Sequence, residues 1–512
     1  TLARALPDVH VSLSSEVLPQ IKEFERISTT IVNAYVGPVL SRYLDRLERR
    51  LAAAGYRGPT LIIQSHGGLM PIAEAGRLAA GAVLSGPAGG VAGSLHAARL
   101  VGPALRDAIA RGPQTTGNLI PFDMGGTSTD ISLITDGAPA LAQGRKIAGE
   151  RIALNSLDIV SIGAGGGSIA RVDRGGILHV GPDSAGAVPG PACYGAGGHE
   201  ATVTDADLVL GYLDPARFLG GRRRLDRAAA ERALDGIAAA LGVDRVAAAH
   251  GVHRVVNTTM AEGVRLVSVR RGVDPRRFAL LAFGGAAGLH ATAIARQLEL
   301  RRVIVPRVAA VLSAWGMLAT DLRFEIARTH IGDAGALDGA AVKRLYEEME
   351  AEGLTRLRAS FNGPVRTSRS ADMRYGEQVF EITVPLDDVD WSLADPLPQI
   401  VARFHRRHEE LYTYSLPEQE AVLVNARVAV SGLLSALPQE PDLPPRPPAP
   451  AAAERRVYLD EWVTAPVWDF DALAPGQRLN GPALVEGGMT TVLLRPGDEA
   501  AVTPQGWLDI NL

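Results

Sequence analysis

The stretch Phe122-Asp-Met-Gly-Gly-Thr-Ser-Thr-Asp-Ile-Ser-Leu-Ile134 decides how the rest of the chain is read. An apolar strand ending at Phe122 delivers Asp123 to a sheet edge. The pair Gly125 and Gly126 is read as a turn of positive φ that brings bare N–H groups against an anion. Thr127, Ser128 and Thr129 add hydroxyl donors, and Ile131-Ser-Leu-Ile134 alternates as a returning strand does. Together they suit a metal-bound polyphosphate. Asp123 is the expected Mg²⁺ contact, because this ion keeps most of its waters and takes few carboxylates. The plainer reading of Asp123 is a turn cap. Asp130 is expected to brace the hairpin.

Two more glycine clusters follow apolar runs. Gly163-Ala-Gly-Gly-Gly-Ser168 follows Leu157-Asp-Ile-Val-Ser-Ile162, and Phe283-Gly-Gly-Ala-Ala-Gly-Leu-His290 follows Phe278-Ala-Leu-Leu-Ala282. One such cluster is an ordinary tight turn. Three in one chain, each where an open α/β sheet presents its ligand loops, point to a nucleotide. The expected contacts are Gly125, Gly126, Thr127, Ser128, Thr129, Gly163, Gly165, Gly166, Gly167, Ser168, Gly284 and Gly285. A Walker loop is absent.

Composition sets the bounds. A chain of 512 residues exceeds what one core usually supports. A formal net charge of −4 and the lack of a long basic tract give no reason to expect nucleic acid or an anionic membrane. No apolar run approaches the ~20 residues of a membrane span, so the cytoplasm is the default location. Cys193 is the single cysteine, which excludes an intramolecular disulfide and a cysteine-rich zinc site.

Punctuation gives the organisation. Leu40 to Leu51 has helical spacing, and Thr60-Leu-Ile-Ile-Gln64 reads as a short strand. Arg227 to Leu241 and Arg245 to Val269 read as long helices, the second closed by Gly272. With Arg302-Val-Ile-Val305 as a further strand, this order predicts an α/β core over 1–325. Asp338 to Phe361 reads as a charged amphipathic helix and Val379 to Val384 as a half-exposed strand, giving an α+β domain over 326–437. A proline-rich linker or strap is expected over 438–454, and a small β-rich cap over 455–512.

These motifs resemble the hydantoinase A / 5-oxoprolinase family, whose nucleotide core is similar to the actin, sugar-kinase and heat-shock ATPase (ribonuclease H-like) fold. The resemblance rests on Ser85-Gly-Pro-Ala-Gly-Gly90, 123–130, 163–168, Pro189-Gly-Pro-Ala-Cys-Tyr-Gly195, Thr202-Val-Thr-Asp-Ala206 and Ser313-Ala-Trp-Gly316. Glu23-Phe-Glu-Arg26 and Asp372-Met-Arg-Tyr375 extend it to nearly the whole chain. It departs at Ala287-Gly288, where the family usually has Gly-Pro, and at Asp207, where an amide residue is commoner and the added negative charge could weaken anion binding or recruit a cation.

The resemblance implies an ATP- and Mg²⁺-dependent enzyme component that phosphorylates the carbonyl oxygen of a cyclic amide or imide. A hydantoinase B-like subunit then completes hydrolysis. The alternatives are a ketone carboxylase subunit of the acetone or acetophenone type and a nucleotide-binding scaffold without activity of its own. The family also implies a first phosphate loop in a lobe preceding these residues. Only one such hairpin is present, so the chain alone is expected to bind nucleotide poorly and to be inactive without that lobe and the partner subunit.

Single residues keep two readings. Asp205 is either a helix N-cap or a general base facing the γ-phosphate. Cys193 reads as a packed small side chain rather than a nucleophile. His66 and His290 could contact substrate or nucleotide, although a lone histidine is more often structural.

Overall fold

The computed structural model describes residues 2–5, 9–109, 117–147, 149–434 and 442–512. They form two compact units, each discontinuous in sequence: 1–85 with 141–156 and 320–436, and 86–140 with 157–319 and 437–512. The chain changes unit at 319/320 and 436/437, and the stretch 1–325 is divided between the two. The physical reason is non-local pairing. The strand Leu69–Pro71 meets Leu322 in parallel, and the Leu69 N–H donates to the Asp321 carbonyl at 2.9 Å.

The second unit is built on a sheet that includes β1 (Leu119–Met124), β2 (Thr129–Ser132), β3 (Ile159–Ile162), β4 (Ala279–Phe283) and β5 (Arg302–Val305). Their order is β3-β2-β1-β4-β5. β1–β2 and β2–β3 are antiparallel, whereas β1–β4 and β4–β5 are parallel. This is the ribonuclease H-like order of the actin-type ATPase core. Strands Leu508–Asn511, Glu499–Val502 and Arg478–Asn480 extend it beyond β5. β4 is buried at every position, as a central strand covered on both faces must be.

Helices α1 (Val203–Val209), α2 (Arg227–Leu241) and α3 (Arg245–Val267) complete this core. Asp226 and Asp244 cap α2 and α3 by accepting the N–H of Ala229 and Ala247, and Gly242 at φ +68° closes α2. α3 lies so close to the sheet that a Cβ on Gly263 would stand 2.8 Å from Ile131 Cδ1 and 2.9 Å from Ile162 Cδ1. Val252, Val256, Met260 and Val264 share one buried cluster with Phe122, Ile131, Leu280 and Val303, each contributing about 1.5–3 kcal/mol of burial.

The first unit has a six-stranded sheet in which Leu322–Asp333, Ala421–Gly432 and Val365–Tyr375 form the long antiparallel centre. Helix Gly339–Arg358 packs on it, with Gly353 against Val430 and Ile326. The expected strand from Val379 starts only at Ile382. Val379 and Phe380 are exposed, because the Arg374 guanidinium takes the carbonyls of Tyr375 and Gln378 and holds the chain in a turn before the ladder begins.

The proline-rich segment is a strap on the second unit over its described part. Leu443 N–H donates to the Pro504 carbonyl at 2.8 Å, and Ala449 N–H to Gln477 Oε1 at 3.0 Å. Residues 438–441 lie outside the described residues. No described helix is long and apolar enough to cross a membrane.

Candidate nucleotide site

The hairpin forms in the expected register, with Phe122 opposite Ile131, Asp123 opposite Asp130 and Met124 opposite Thr129. The Gly125 N–H donates to the Ser128 carbonyl at 3.1 Å and closes the turn. One expectation is corrected here: neither Gly125 nor Gly126 has positive φ. Their glycine character serves close approach instead.

The approaching segment is the second glycine cluster. Gly166 and Gly167 donate their N–H groups to the carbonyls of Gly125 and Gly126, and Gly165 donates to Ser168 Oγ at 2.8 Å. A Cβ on Gly165 would stand 2.8 Å from the backbone nitrogens of Thr127 and Ser128. The N–H groups of Gly165, Gly166 and Gly167 are therefore spent inside the protein, and 163–168 acts as a buttress beneath the hairpin rather than as a second anion cradle. Thr129 is corrected likewise. Its buried hydroxyl donates to the Ala164 carbonyl at 2.5 Å.

This docking orients the hairpin tip. In a trans peptide the C=O and the following N–H point in opposite directions. With the carbonyls of Gly125 and Gly126 turned onto the buttress, the N–H groups of Gly126 and Thr127 face outward, where both residues are exposed. Ser128 stands beside them, half-buried. Two adjacent outward N–H groups flanked by hydroxyls are donors that could hold an anion.

Asp123 stands at the base of the tip. Its Oδ2 accepts the Ser313 hydroxyl at 3.0 Å. Burial pushes the carboxyl up to about 6, the Ser313 bond offsets part of this, and the neighbouring Asp130 charge adds to it. A divalent cation would relieve that strain, so the residues fit Mg²⁺. Gly284, at φ +84°, leaves the room this carboxyl needs, since a Cβ there would lie 2.5 Å from Asp123 Oδ1. Ala286 N–H donates to the Met124 carbonyl at 3.1 Å, tying the third cluster to the first. Gly285 borders a cavity of about 180 Å³ shared with Asp214, Arg217, Gly487 and Gly488.

Both readings of Asp205 can be weighed against geometry. The capping box with Thr202 is present, and the fully buried carboxylate accepts the N–H groups of Ala192, Cys193 and Thr202 and the Thr202 hydroxyl. Its acceptor capacity is engaged in bracing 191–202. Cys193 is buried, and its thiol is pushed far up by burial and by the Asp205 charge. Both observations fit a packed side chain rather than a nucleophile.

Asp207 and His290, named separately in the sequence, converge with His253, which carries no local signal. Asp207 accepts or shares a proton with His253 Nδ1 at 2.8 Å, lies 3.5 Å from His290 Nε2, and both histidines are buried. Burial raises the Asp207 carboxyl, and the His290 and His253 imidazoles more than offset it, bringing it down to about 2. Burial and the His290 charge press His253 down to about 4. The three ligand atoms lie within 4.8 Å, as in a metal site. The rings, however, are stacked at 4.5 Å and 19°, so one ion could not lie in both ring planes, and Arg495 contacts His253 Nε2 at 3.0 Å. The cluster is an internal charge network. A histidine 46 residues from its aspartate gives no sequence signal. His66 belongs to the other unit, where it lines a cavity of about 240 Å³ with Asn155 and Glu325.

Comparisons with known proteins place the chain in a family. The family profile described as Hydantoinase/oxoprolinase matches residues 26–326, and that of the Hydantoinase/oxoprolinase C-terminal domain matches 334–509. The chain is 38% identical over 522 residues to the caprolactamase subunit alpha of Pseudomonas jessenii, covering 99% of this chain and 72% of the relative. It is 30% identical over 528 residues to the acetophenone carboxylase gamma subunit of Aromatoleum aromaticum, covering 97% and 68%. The crystal structure of the ATP-dependent caprolactamase from Pseudomonas jessenii superposes with a TM-score of 0.80 at 35% identity, over 99% of this chain and 73% of that one. The chain belongs to the hydantoinase/oxoprolinase family.

Proposed function

We propose that the chain is the nucleotide-binding component of an ATP-dependent cyclic-amide hydrolase, which activates the substrate carbonyl oxygen by phosphorylation for a hydantoinase B-type partner. The observation that carries this reading is the outward N–H pair at Gly126 and Thr127 beside a carboxyl raised to about 6, in a chain 38% identical to a caprolactamase subunit.

The chemistry accounts for the ATP. An amide carbon is a poor electrophile, and phosphorylating its oxygen makes an activated imidate. Addition of water and cleavage of the C–N bond leave an acyl phosphate and a free amine, and a second water releases phosphate. ATP, the ring and two waters thus become ADP, phosphate and an amino acid.

The chain's own residues bind and orient. The N–H groups of Gly126 and Thr127 and the hydroxyls of Thr127 and Ser128 hold phosphate oxygens, and Asp123 holds the cation through its carboxylate. Mg²⁺, when bound, neutralises phosphate charge. Gly285 borders the cavity that would take the nucleoside, and Gly284 leaves room for the Asp123 carboxyl. Loop 163–168 and Asp205 fix the hairpin and 191–202, and so act as positioning elements.

The test is ADP release by the chain together with the family's first phosphate-loop lobe and a hydantoinase B-type polypeptide, with ε-caprolactam, hydantoin or 5-oxoproline as the ring. Lactam-dependent ADP release matched by ring-opened amino acid supports the proposal. The second reading is a ketone carboxylase component, favoured by the 30% identity to the acetophenone carboxylase gamma subunit. Turnover that needs ketone and bicarbonate would replace the first reading by the second. Nucleotide binding without turnover of either kind would leave a scaffold.

A further inference from the structure

Strand Leu61–Ile63 of the first unit leads into a tight turn, in which the Gln64 N–H donates to the Gly68 carbonyl at 2.8 Å and the Gly67 N–H to the Gln64 carbonyl at 2.8 Å. The turn delivers Gln64, Ser65 and His66 to the cavity of about 240 Å³, whose wall lies wholly within this unit. The Gln64 side chain is fully buried, yet neither its Nε2 nor its Oε1 has a hydrogen-bond partner among the described residues. A buried carboxamide left in this state is costly, and native interiors seldom tolerate one. Gly81 keeps the place for it, since a Cβ there would collide with Gln64 Oε1.

His66 adds a second orphan. Its Nδ1 accepts the Gly68 N–H at 3.0 Å, so the proton of the neutral ring sits on Nε2, a buried atom that also has no partner among the described residues. Burial holds the imidazole below its usual pKa; Glu325 opposes this and Arg323 adds to it, leaving the ring neutral at pH 7. The charges on the wall are matched. Glu16, Glu325 and Glu352 pair with Arg77, Arg323 and Arg328, and Arg356 and Arg427 pair with Glu74 and Asp372. What the cavity offers is therefore a donor and an acceptor on one amide edge, a further N–H from His66, and apolar surface from Val17, Met70, Leu78 and Ile326. A volume of about 240 Å³ is below the ~300–1,000 Å³ of drug-sized pockets, which suits a single small ring.

We propose that this cavity is the ring-binding site and that it takes an uncharged lactam or cyclic imide, held through its cis-amide edge by the Gln64 carboxamide. The proposal rests on the hydrolase reading above and narrows it. A small ring holds its amide cis, so N–H and C=O point to the same side and close two hydrogen bonds with one carboxamide, Gln64 Oε1 accepting and Nε2 donating. The His66 Nε2–H supplies a donor for the remaining lone pair of the carbonyl. A peptide bond from elsewhere in the protein does not answer this edge, because in a trans peptide N–H and C=O point opposite ways and one bond cannot meet both Gln64 atoms. An anionic ring such as 5-oxoproline is disfavoured, since the wall arginines Arg77, Arg356 and Arg427 are already matched by carboxylates.

The experiment uses the 512-residue chain together with the family's first phosphate-loop lobe, titrated by calorimetry with ε-caprolactam, N-methylcaprolactam, ε-caprolactone and 5-oxoproline. ε-Caprolactam should bind. The N-methyl lactam and the lactone, which lack the N–H, and the carboxylate-bearing 5-oxoproline should each bind at least ~10-fold more weakly. Gln64→Leu should weaken caprolactam binding at least ~10-fold and erase its preference over the lactone, because the edge that reads the N–H is gone. The same variant should unfold no lower than the original chain, since leucine removes two buried orphan groups, whereas loss of a merely structural glutamine would destabilise. His66→Phe should weaken lactam and lactone alike, because its donor meets the carbonyl that both share.

Any of three results would overturn the proposal: no caprolactam binding by the original protein, which is also what a cavity filled by the lobe would give; equal binding of caprolactam and ε-caprolactone; or an unchanged caprolactam affinity in Gln64→Leu. Should that variant not fold, the ligand series with the original protein decides. Failure of the functional reading shows elsewhere, as caprolactam bound with the expected dependence on its N–H but with no lactam-dependent ADP release once the hydantoinase B-type polypeptide is added.

Discussion

Replacing Asp123 by Asn should move stability and nucleotide binding in opposite directions. In the folded chain the Asp123 carboxyl sits near 6, against about 3.9 when unfolded, so ionising it opposes folding by up to about 3 kcal/mol. A raised pKa of this kind gives stability that is complete below about pH 4 and is lost as pH rises through about 6. Asparagine is never ionised and can still accept the Ser313 hydroxyl. The variant should therefore unfold a few degrees higher than the original chain at pH 7.5, and the gain should vanish at pH 4. Mg-ATP binding should fall by at least ~100-fold in the same protein, because the cation loses its carboxylate. The original chain should bind Mg-ATP about tenfold more weakly at pH 5 than at pH 7.5, since only about one-tenth of a group of pKa 6 is ionised there, and the variant should lose that dependence. The assays are thermal unfolding across pH and calorimetry in two buffers of different ionisation enthalpy. Protons contributed by ATP itself are subtracted with the variant. A variant destabilised at pH 7.5, or one that keeps the original affinity, would refute the reasoning.

Other predictions concern the bracing elements. Gly165→Ala drives a methyl into the hairpin backbone and should cost about 2–4 kcal/mol and most ATP binding, whereas Gly126→Ala, with open space at its Cβ, should fold normally. Asp205→Asn should lower denaturant stability by about 3 kcal/mol, because an amide cannot accept from donors on both of its polar atoms; a stable variant that binds ATP but does not turn over would restore the general-base reading. Cys193 should react with a thiol reagent only at the rate of unfolding, and Cys193→Ala should retain activity. The Asp207 carboxylate contributes stability above about pH 4 that should be lost as pH falls toward 2, below the window from about 6.5 to 4 in which buried His253 loses its own share, so Asp207→Asn should flatten the lowest part of the acid limb of the stability profile.

Much of this protein follows from local chemistry. The hairpin at 122–134, the aspartate caps at 226 and 244, and the apolar strands that precede each glycine cluster depend on contacts a few residues apart, and they can be read from order alone. The motifs shared with the family carry the fold for the same reason. Tertiary structure decided what the glycines and carboxylates are for. A glycine records only that a side chain has no room, not whether phosphate or backbone takes the space, so 125–126 and 163–168 look alike until the buttress is seen. Asp205 reads as cap or base until its four donors are in place. The assignment of 1–85 to the sheet of 320–436 depends on pairing across some 250 residues. The rotation of helix Glu23–Ala53 is likewise set by distant partners, since the hydrogen bonds of Ser28 and Thr29 to 151–153 determine which face of the helix turns in.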